Sequence, residues 1–229
     1  MGKLVKAMAA EAGFDTAPPV HRGNNESGSA LTKTKLEHID VAIDFSTREA
    51  VEANLPRLAE AGVNVVIGTT GWQASHERLR ALCLDAGIGV VAAPNFSVGV
   101  QYFLEIVRSA AAMAAAEHEM GAYIHEEHHA RKTDKPSGTA LEMAAQMVRA
   151  GYERTIDISS TRAGHVPGTH TLGLDSPTET ITLTHRTRSR RTFASGALVA
   201  ARWVLNRQGW FSMADVLGLD VDPAAPRRR

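Results

Sequence analysis

Cysteine is nearly absent from the 229-residue chain: Cys83 stands alone, so no intrachain disulfide can form, and a reducing cytoplasm fits best. Cys83 lies in Leu79-Arg80-Ala81-Leu82-Cys83-Leu84, an apolar helix face, where a structural thiol outweighs a nucleophile. Net charge is absent too, with 25 basic against 25 acidic residues, so bulk charge points to neither a nucleic-acid nor a membrane partner. Long apolar runs are missing: none approaches the roughly 18 residues of a membrane span. The first fourteen residues carry Lys3, Lys6 and Glu11 and hold no continuous apolar stretch, so they do not read as a signal peptide. Hydrophobic residues at 44% leave ample material for a buried core in one large domain or two small ones. The tail Arg227-Arg228-Arg229 reads as a solvated end.

What is present has two textures. Leu4, Val5, Met8, Ala9 and Ala12 recur at helical spacing, so the chain opens inside a helix. Residues 13–37 are rich in turn formers and predict a short strand at best, then a long loop. Ile39–Phe45 reads as a buried strand, Arg48–Ala61 as a helix capped at Ser46-Thr47 with Pro56 as a possible kink, and Val63–Ile67 as a strand. A helix over Ala74–Ala86 and a strand over Ile88–Ala92 follow. Strand and helix alternating with short joints predict a parallel sheet covered by helices, joined by right-handed crossovers. After Asn95 the pattern changes. A long helix over Val98–Ala116, an extended Tyr123–His128 and a helix over Ser137–Ala150 precede three alternating segments, Asp157–Arg162, Thr169–Leu174 and Thr178–Thr184, and a last helix at Ala197–Leu205. The expected fold class is α/β: a Rossmann-like doubly wound parallel sheet plus an α+β domain with a mixed, open sheet. An open sheet with an exposed face favours oligomerisation.

Three loops fall at the C-terminal ends of the parallel strands, where doubly wound sheets bind ligands. They are Asp44-Phe45-Ser46-Thr47, Gly68-Thr69-Thr70-Gly71-Trp72 and Ala93-Pro94-Asn95-Phe96-Ser97. Their small residues admit a flat ligand to the backbone, and their hydroxyls and amides supply hydrogen bonds. The densest chemistry lies in His125 to Ala140. His125-Glu126-Glu127-His128-His129 formally matches H-E-x-x-H, which binds zinc only when both histidines share one helix face. Lys132, Asp134 and Pro136 follow at once and argue for a strand or loop, so no metal site is assigned. Instead Lys132 offers a cation for a carboxylate, Ser137, Gly138 and Thr139 open a helix whose free N–H groups make a second carboxylate site, and histidine supplies a proton near neutral pH. A small dianionic substrate suits this layout.

His128-His129-Ala130-Arg131-Lys132-Thr133-Asp134-Lys135-Pro136-Ser137-Gly138-Thr139-Ala140 resembles the H-H-x-x-K-x-D-x-P-S-G-T-A signature of the dihydrodipicolinate reductase family, also called 4-hydroxy-tetrahydrodipicolinate reductase. Gly68-Thr69-Thr70-Gly71 and Ala93-Pro94-Asn95-Phe96-Ser97 are similar to its two cofactor loops, in the same order. Ser189-Arg190-Arg191-Thr192-Phe193-Ala194-Ser195-Gly196-Ala197 and Gly209-Trp210-Phe211-Ser212-Met213-Ala214-Asp215-Val216-Leu217 resemble its later segments, so the likeness covers essentially the whole chain. The resemblance implies that His128 is the general acid and base, that Lys132 is a second proton donor, and that His129, Ser137, Gly138 and Thr139 bind substrate. It implies Gly68, Thr69, Thr70, Ala93, Pro94, Asn95 and Phe96 along an NADPH or NADH cofactor. It further implies reduction of 4-hydroxy-tetrahydrodipicolinate, a dicarboxylate, in lysine and diaminopimelate synthesis. The implied assembly is a homotetramer, with residues 1–96 and 204–229 as dinucleotide domain and 97–203 as substrate and tetramerisation domain.

Two departures stand out. The family opens with a strand and a G-x-x-G-x-M-G loop; here Met1-Gly2-Lys3 aligns with the end of that loop, which predicts a start assigned at an internal methionine or a shortened chain. A catalytically silent oligomer that still binds dicarboxylates is the alternative this raises, with a zinc hydrolase more remote. At the ribose position the usual acid is replaced by His21-Arg22-Gly23-Asn24, and Arg22 there favours a 2′-phosphate and hence NADPH.

Overall fold

The computed structural model describes residues 1–219; the Arg227-Arg228-Arg229 tail lies outside the described residues. The chain divides into two compact units, Met1–Ser97 with the segment from Phe193 on, and Val98–Thr192.

The first unit is built on β1 (Val41–Asp44), β2 (Asn64–Ile67), β3 (Gly89–Ala92) and β8 (Gly209–Phe211), all parallel, in the order β1-β2-β3-β8. Helix α3 (Arg48–Glu60) joins β1 to β2, and α4 (His76–Asp85) joins β2 to β3. Alternation along each strand feeds two cores. Ala42, Val65, Ile67 and Val90 face one cluster with Leu55, Leu58, Leu79 and Cys83 from α3 and α4. Ile43 and Phe45 face a second cluster with Val5 and Ala9 of α1 (Gly2–Ala9) and Ala194 and Leu198 of α7 (Arg191–Val204). Both faces of the sheet are therefore covered, as its apolar β-branched strands require. Thr47 caps α3 by accepting from the Ala50 N–H, and the helix runs unbroken through Pro56. Burial raises the Cys83 thiol to about 11, so it stays protonated and inert.

In the second unit the order is β5-β4-β6-β7. Strand β4 (Gly121–His128) pairs parallel with β5 (Ile156–Arg162) and antiparallel with β6 (Thr169–Asp175), and β6 pairs antiparallel with β7 (Thr180–Arg186). One face packs Ile124, Leu172 and Leu174 against α5 (Val98–Ala115) and α6 (Gly138–Arg149). On the sheet Tyr123 remains 39% exposed and Ile181 45% exposed.

Three expectations need correction. Residues 13–37 form no strand; a 3-10 turn at Glu26–Gly28 and the short α2 (Lys33–Leu36) occupy them, with Leu31 and Leu36 anchoring the segment to the core. Helix α7 starts at Arg191 rather than Ala197, because the Ser189 hydroxyl accepts from the Arg191 N–H at 3.2 Å and initiates it earlier. The chain accordingly crosses back into the first unit at Phe193, whereas the motif reading set that boundary at 203/204. Strand β8 and the following α8 (Met213–Leu217) had no independent sequence signal; β8 is three residues long and exists through its pairing with β3.

Candidate functional site

Strand alternation decides the chemistry of the histidine-rich segment. In β4 successive side chains point to opposite faces, so Ile124, Glu126 and His128 share the buried face. Glu126 is fully buried. A buried carboxylate requires donors, and it has them. Arg162 of β5 grips both its oxygens, from Nη2 to Oε1 at 2.7 Å and from Nη1 to Oε2 at 3.0 Å. The Ser137 backbone N–H adds a bond to Oε1 at 3.3 Å, and His128 Nδ1 makes a short hydrogen bond to Oε2. Burial pushes the Glu126 carboxyl up, but its hydrogen bonds, led by Arg162, outweigh that and hold it at about 2.

His128 is 8% exposed. Burial lowers its basicity, the Glu126 hydrogen bond and charge oppose that, and Lys132 and Arg162 add to the lowering; the net direction is down. Its other nitrogen, Nε2, lies beside Gly168, where a Cβ would sit 3.0 Å away. His170 of β6 meets the His128 ring edge-on at 5.0 Å, and its Nε2 lies 3.0 Å from the Ser137 hydroxyl. Burial, then the neighbouring His128, pushes His170 down to about 4.

Ser137 caps α6 by accepting from the Ala140 N–H at 3.3 Å. A Cβ on Gly138 would meet nothing within 4 Å, so there is open space beside the helix start at that residue. Lys132 Nζ pairs with Asp134 at 2.7 Å, and Arg190 Nη2 lies 3.4 Å from His129 Nε2. Burial and the charges of Arg190, Arg131 and Lys132 lower the His129 pKa. The structure thus brings His128, Lys132 and Ser137 into one network, with His129 tied to Arg190, and sets Gly138 and Thr139 at the first turn of α6. Glu126, Arg162, His170 and Arg190 were not assigned roles from sequence. Glu126 was findable: in an extended H-E-E-H-H segment it falls two residues before His128, on the same face.

The zinc reading fails on geometry. His125 and His129 lie on and just beyond a strand, about 13 Å apart along it. Donor atoms of Glu126, His128 and His170 lie within 4.8 Å of one another, but Arg162 donates to both Glu126 oxygens, so the group is a hydrogen-bond network.

In the first unit the three strand-end loops meet. Asp44 Oδ1 accepts from the Thr69 hydroxyl at 2.9 Å, and the Ser46 N–H donates to Thr69 Oγ1 at 2.8 Å. Trp72 Nε1 closes the second loop on the Thr69 carbonyl at 2.7 Å. Phe45 packs edge-on against Phe96 at 6.0 Å and covers Gly68 so closely that a Cβ there would fall 2.0 Å from its ring. The Asn95 side chain accepts from the Ser97 N–H at 2.9 Å. Ala93 hydrogen-bonds Ile67 at 3.1 Å, while Thr70 and Pro94 are exposed at the loop crests. Arg22 lies on an exposed turn closed by the Asn24 N–H bond to His21 O at 2.9 Å.

Family models described as "Dihydrodipicolinate reductase, C-terminus" and "Dihydrodipicolinate reductase, N-terminus" match residues 99–217 and 1–96. The chain belongs to the dihydrodipicolinate reductase family. It is 37% identical over 190 residues to the 4-hydroxy-tetrahydrodipicolinate reductase of Christiangramia forsetii, covering 78% of this chain and 80% of that relative. The identity is also 37%, over 239 residues, to the reductase of the same name from Laribacter hongkongensis, covering 95% of this chain and 88% of the relative. The fold is shared with a dipicolinate-bound dihydrodipicolinate reductase from Paenisporosarcina sp. TG-14, with a TM-score of 0.65 at 23% identity over 77% of this chain and 72% of that one. Family membership makes the chain an NAD(P)H-type oxidoreductase.

Proposed function

We propose that this chain reduces 4-hydroxy-tetrahydrodipicolinate to tetrahydrodipicolinate in lysine and diaminopimelate synthesis. The carrying observation is His128, held by a buried carboxylate with Nε2 toward Gly168, in a network that also fixes the start of α6. The net chemistry takes in a hydride and a proton and releases the substrate hydroxyl as water. His128, protonated, gives its proton from Nε2, and Lys132 is the second donor. Burial favours neutral His128 while Glu126 favours its cation; the net direction is down, so the protonated ring gives up its proton more readily than a free imidazole. The N–H groups of Gly138 and Thr139, beside the Ser137 cap, take one substrate carboxylate through the helix dipole. Lys132 and Arg190 supply the cationic side for the other, with His129 beside them as a hydrogen-bonding group.

The first unit fits a dinucleotide: its three parallel strand-end loops are latched together, small at Gly68 and Ala93, and exposed at Thr70 and Pro94. Gly68, Thr69, Thr70, Ala93, Pro94, Asn95 and Phe96 would hold it; Thr69 contributes through its backbone, since its hydroxyl is engaged by Asp44 and Ser46. When bound, NADPH or NADH supplies the hydride. Arg22, exposed, favours the 2′-phosphate form. Met1–Ser97 with the segment from Phe193 on serves the cofactor, and Val98–Thr192 the substrate. The partly exposed sheet of the second unit supports a homotetramer, and the single buried cysteine supports a cytoplasmic setting.

The test is NADPH oxidation by the purified chain with substrate generated in situ by the upstream synthase. Substrate-dependent oxidation supports the reading. Its absence, in protein that is folded and binds NADPH, would overturn it.

A further inference from the structure

The buried Glu126–Arg162 pair lies outside the groups assigned to substrate or cofactor, and its arrangement is more elaborate than packing demands. One carboxylate collects hydrogen bonds from three segments: both terminal guanidinium nitrogens of Arg162 on β5, the Ser137 N–H at the start of α6, and His128 Nδ1 on its own strand. Two of those segments carry groups of the proposed chemistry, the proton donor and the carboxylate-binding helix start. Arg162 is itself anchored further, donating from Nη1 to the Thr161 carbonyl at 2.8 Å and from Nη2 to the Asp134 carbonyl in the loop that carries Lys132.

We infer that Glu126, kept ionised and immobile by Arg162, is a positioning residue that holds the His128 proton on Nδ1 and directs Nε2 toward the substrate. The inference rests on the reductase reading of this site. Glu126 touches no reacting atom; it acts through His128. An ionised carboxylate is only an acceptor, so the Nδ1 opposite it must carry the proton in both states of the ring. Nε2 is then the position that gains and loses the transferable proton. The titratable and charged groups around His128 are Glu126 on β4, Lys132 in the following loop, Arg162 on β5 and His170 on β6. Glu126 is the single anion among them, and it alone favours the cationic ring that donates the proton.

Glu126→Gln replaces one oxygen by an amide donor. The single oxygen left cannot serve Arg162, Ser137 and His128 together. The expected result is a kcat lower by at least about tenfold, with KM for the substrate changed far less. The high-pH limb of kcat, where His128 loses its proton, should move down by about 1 pH unit. Nitrogen-15 NMR of histidine-labelled protein should show a strongly hydrogen-bonded Nδ1 proton for His128 in the wild type and its loss in the variant. Because Glu126→Gln leaves the Arg162 charge buried without its partner, Glu126→Gln/Arg162→Gln is measured beside it. If Glu126 merely neutralises Arg162, the double variant regains the wild-type kcat and limb. If Glu126 positions His128, both remain displaced. Wild-type kcat and pH profile in Glu126→Gln, or recovery in the double variant, would overturn the inference while leaving the reductase reading intact. Failure of the wild type to turn over would remove that reading, and the Nδ1 resonance would still decide whether Glu126 fixes the ring.

Discussion

Replacing Gly196 with alanine pits two effects of known size against each other. Gly196 is buried within α7, and in an exposed helix interior glycine to alanine stabilises by about 1 kcal/mol. Here the new Cβ would stand 1.7 Å from the Phe96 carbonyl oxygen and 2.8 Å from its carbonyl carbon. Favourable carbon contacts begin near 3.5 Å, so helix and loop must separate by about 1.8 Å, and the clash sets a Cβ fixed rigidly to the helix backbone against loop backbone. Such overpacking costs about 3 kcal/mol at the upper end of the usual range, which leaves a net destabilisation of about 2 kcal/mol. The displacement also reaches the cofactor loops, because Phe96 packs on Phe45 and Phe45 closes over Gly68. Urea unfolding should show a lower midpoint with unchanged slope, and NADPH titration followed by fluorescence should show weakened binding. Binding of pyridine-2,6-dicarboxylate should change much less, since the groups proposed to hold it lie in the other unit. An unchanged or raised midpoint together with wild-type NADPH affinity would refute the reasoning.

Gly168→Ala should cut kcat/KM by about a hundredfold, because its methyl would press on His128 Nε2 from 3.0 Å and its φ of +149° is strained for alanine; a wild-type rate would remove Nε2 as the donor atom. His128→Gln should lower kcat by about 100-fold or more, and Lys132→Ala should raise the substrate KM as well, both with native circular dichroism. His170 is depressed from 6.5 to about 4, so the unfolded chain binds the extra proton first: stability is full above about pH 6.5 and falls toward pH 4. His170→Gln should flatten that part of the urea-midpoint profile. Glu126 is lowered from 4.5 to about 2, so its contribution is present above pH 4.5 and lost as pH falls toward 2; Glu126→Gln should abolish that later step. Cys83, 1% exposed and raised to about 11, should resist a thiol reagent in the native protein and react fully in urea.

Local pattern carried a large share of the fold. The β-branched run Val63 to Ile67 marked β2, the Ser46-Thr47 cap marked the start of α3, and Ser137 marked the start of α6. Helix and strand periods are imposed by backbone geometry, so they are written directly into residue spacing. Strand β8 was not legible in this way, because a three-residue strand has no period and gains its hydrogen bonds from β3, more than a hundred positions away. The early start of α7 was hidden for a similar reason: Ser189-Arg190-Arg191-Thr192 is polar on every face, and a single serine hydroxyl decides where the helix begins.

The site divides along the same line. Sequence alone determined the family signature and singled out His128, Lys132 and the helix start at Ser137 to Thr139 as the candidate site, because these lie within twelve residues of one another and residue type limits what each can do. It also determined the order of the strand-end loops, since parallel strands joined by helices all finish at one edge. Only the tertiary structure decided that Arg162 grips Glu126, that His170 closes on Ser137 and that Arg190 reaches His129. These partners arrive from β5, β6 and the segment before α7, brought in by strand pairing. Burial then turns ordinary side chains into a network: a carboxylate or an imidazole removed from water must find a partner, and which partner it finds depends on the register of strands that are distant in sequence.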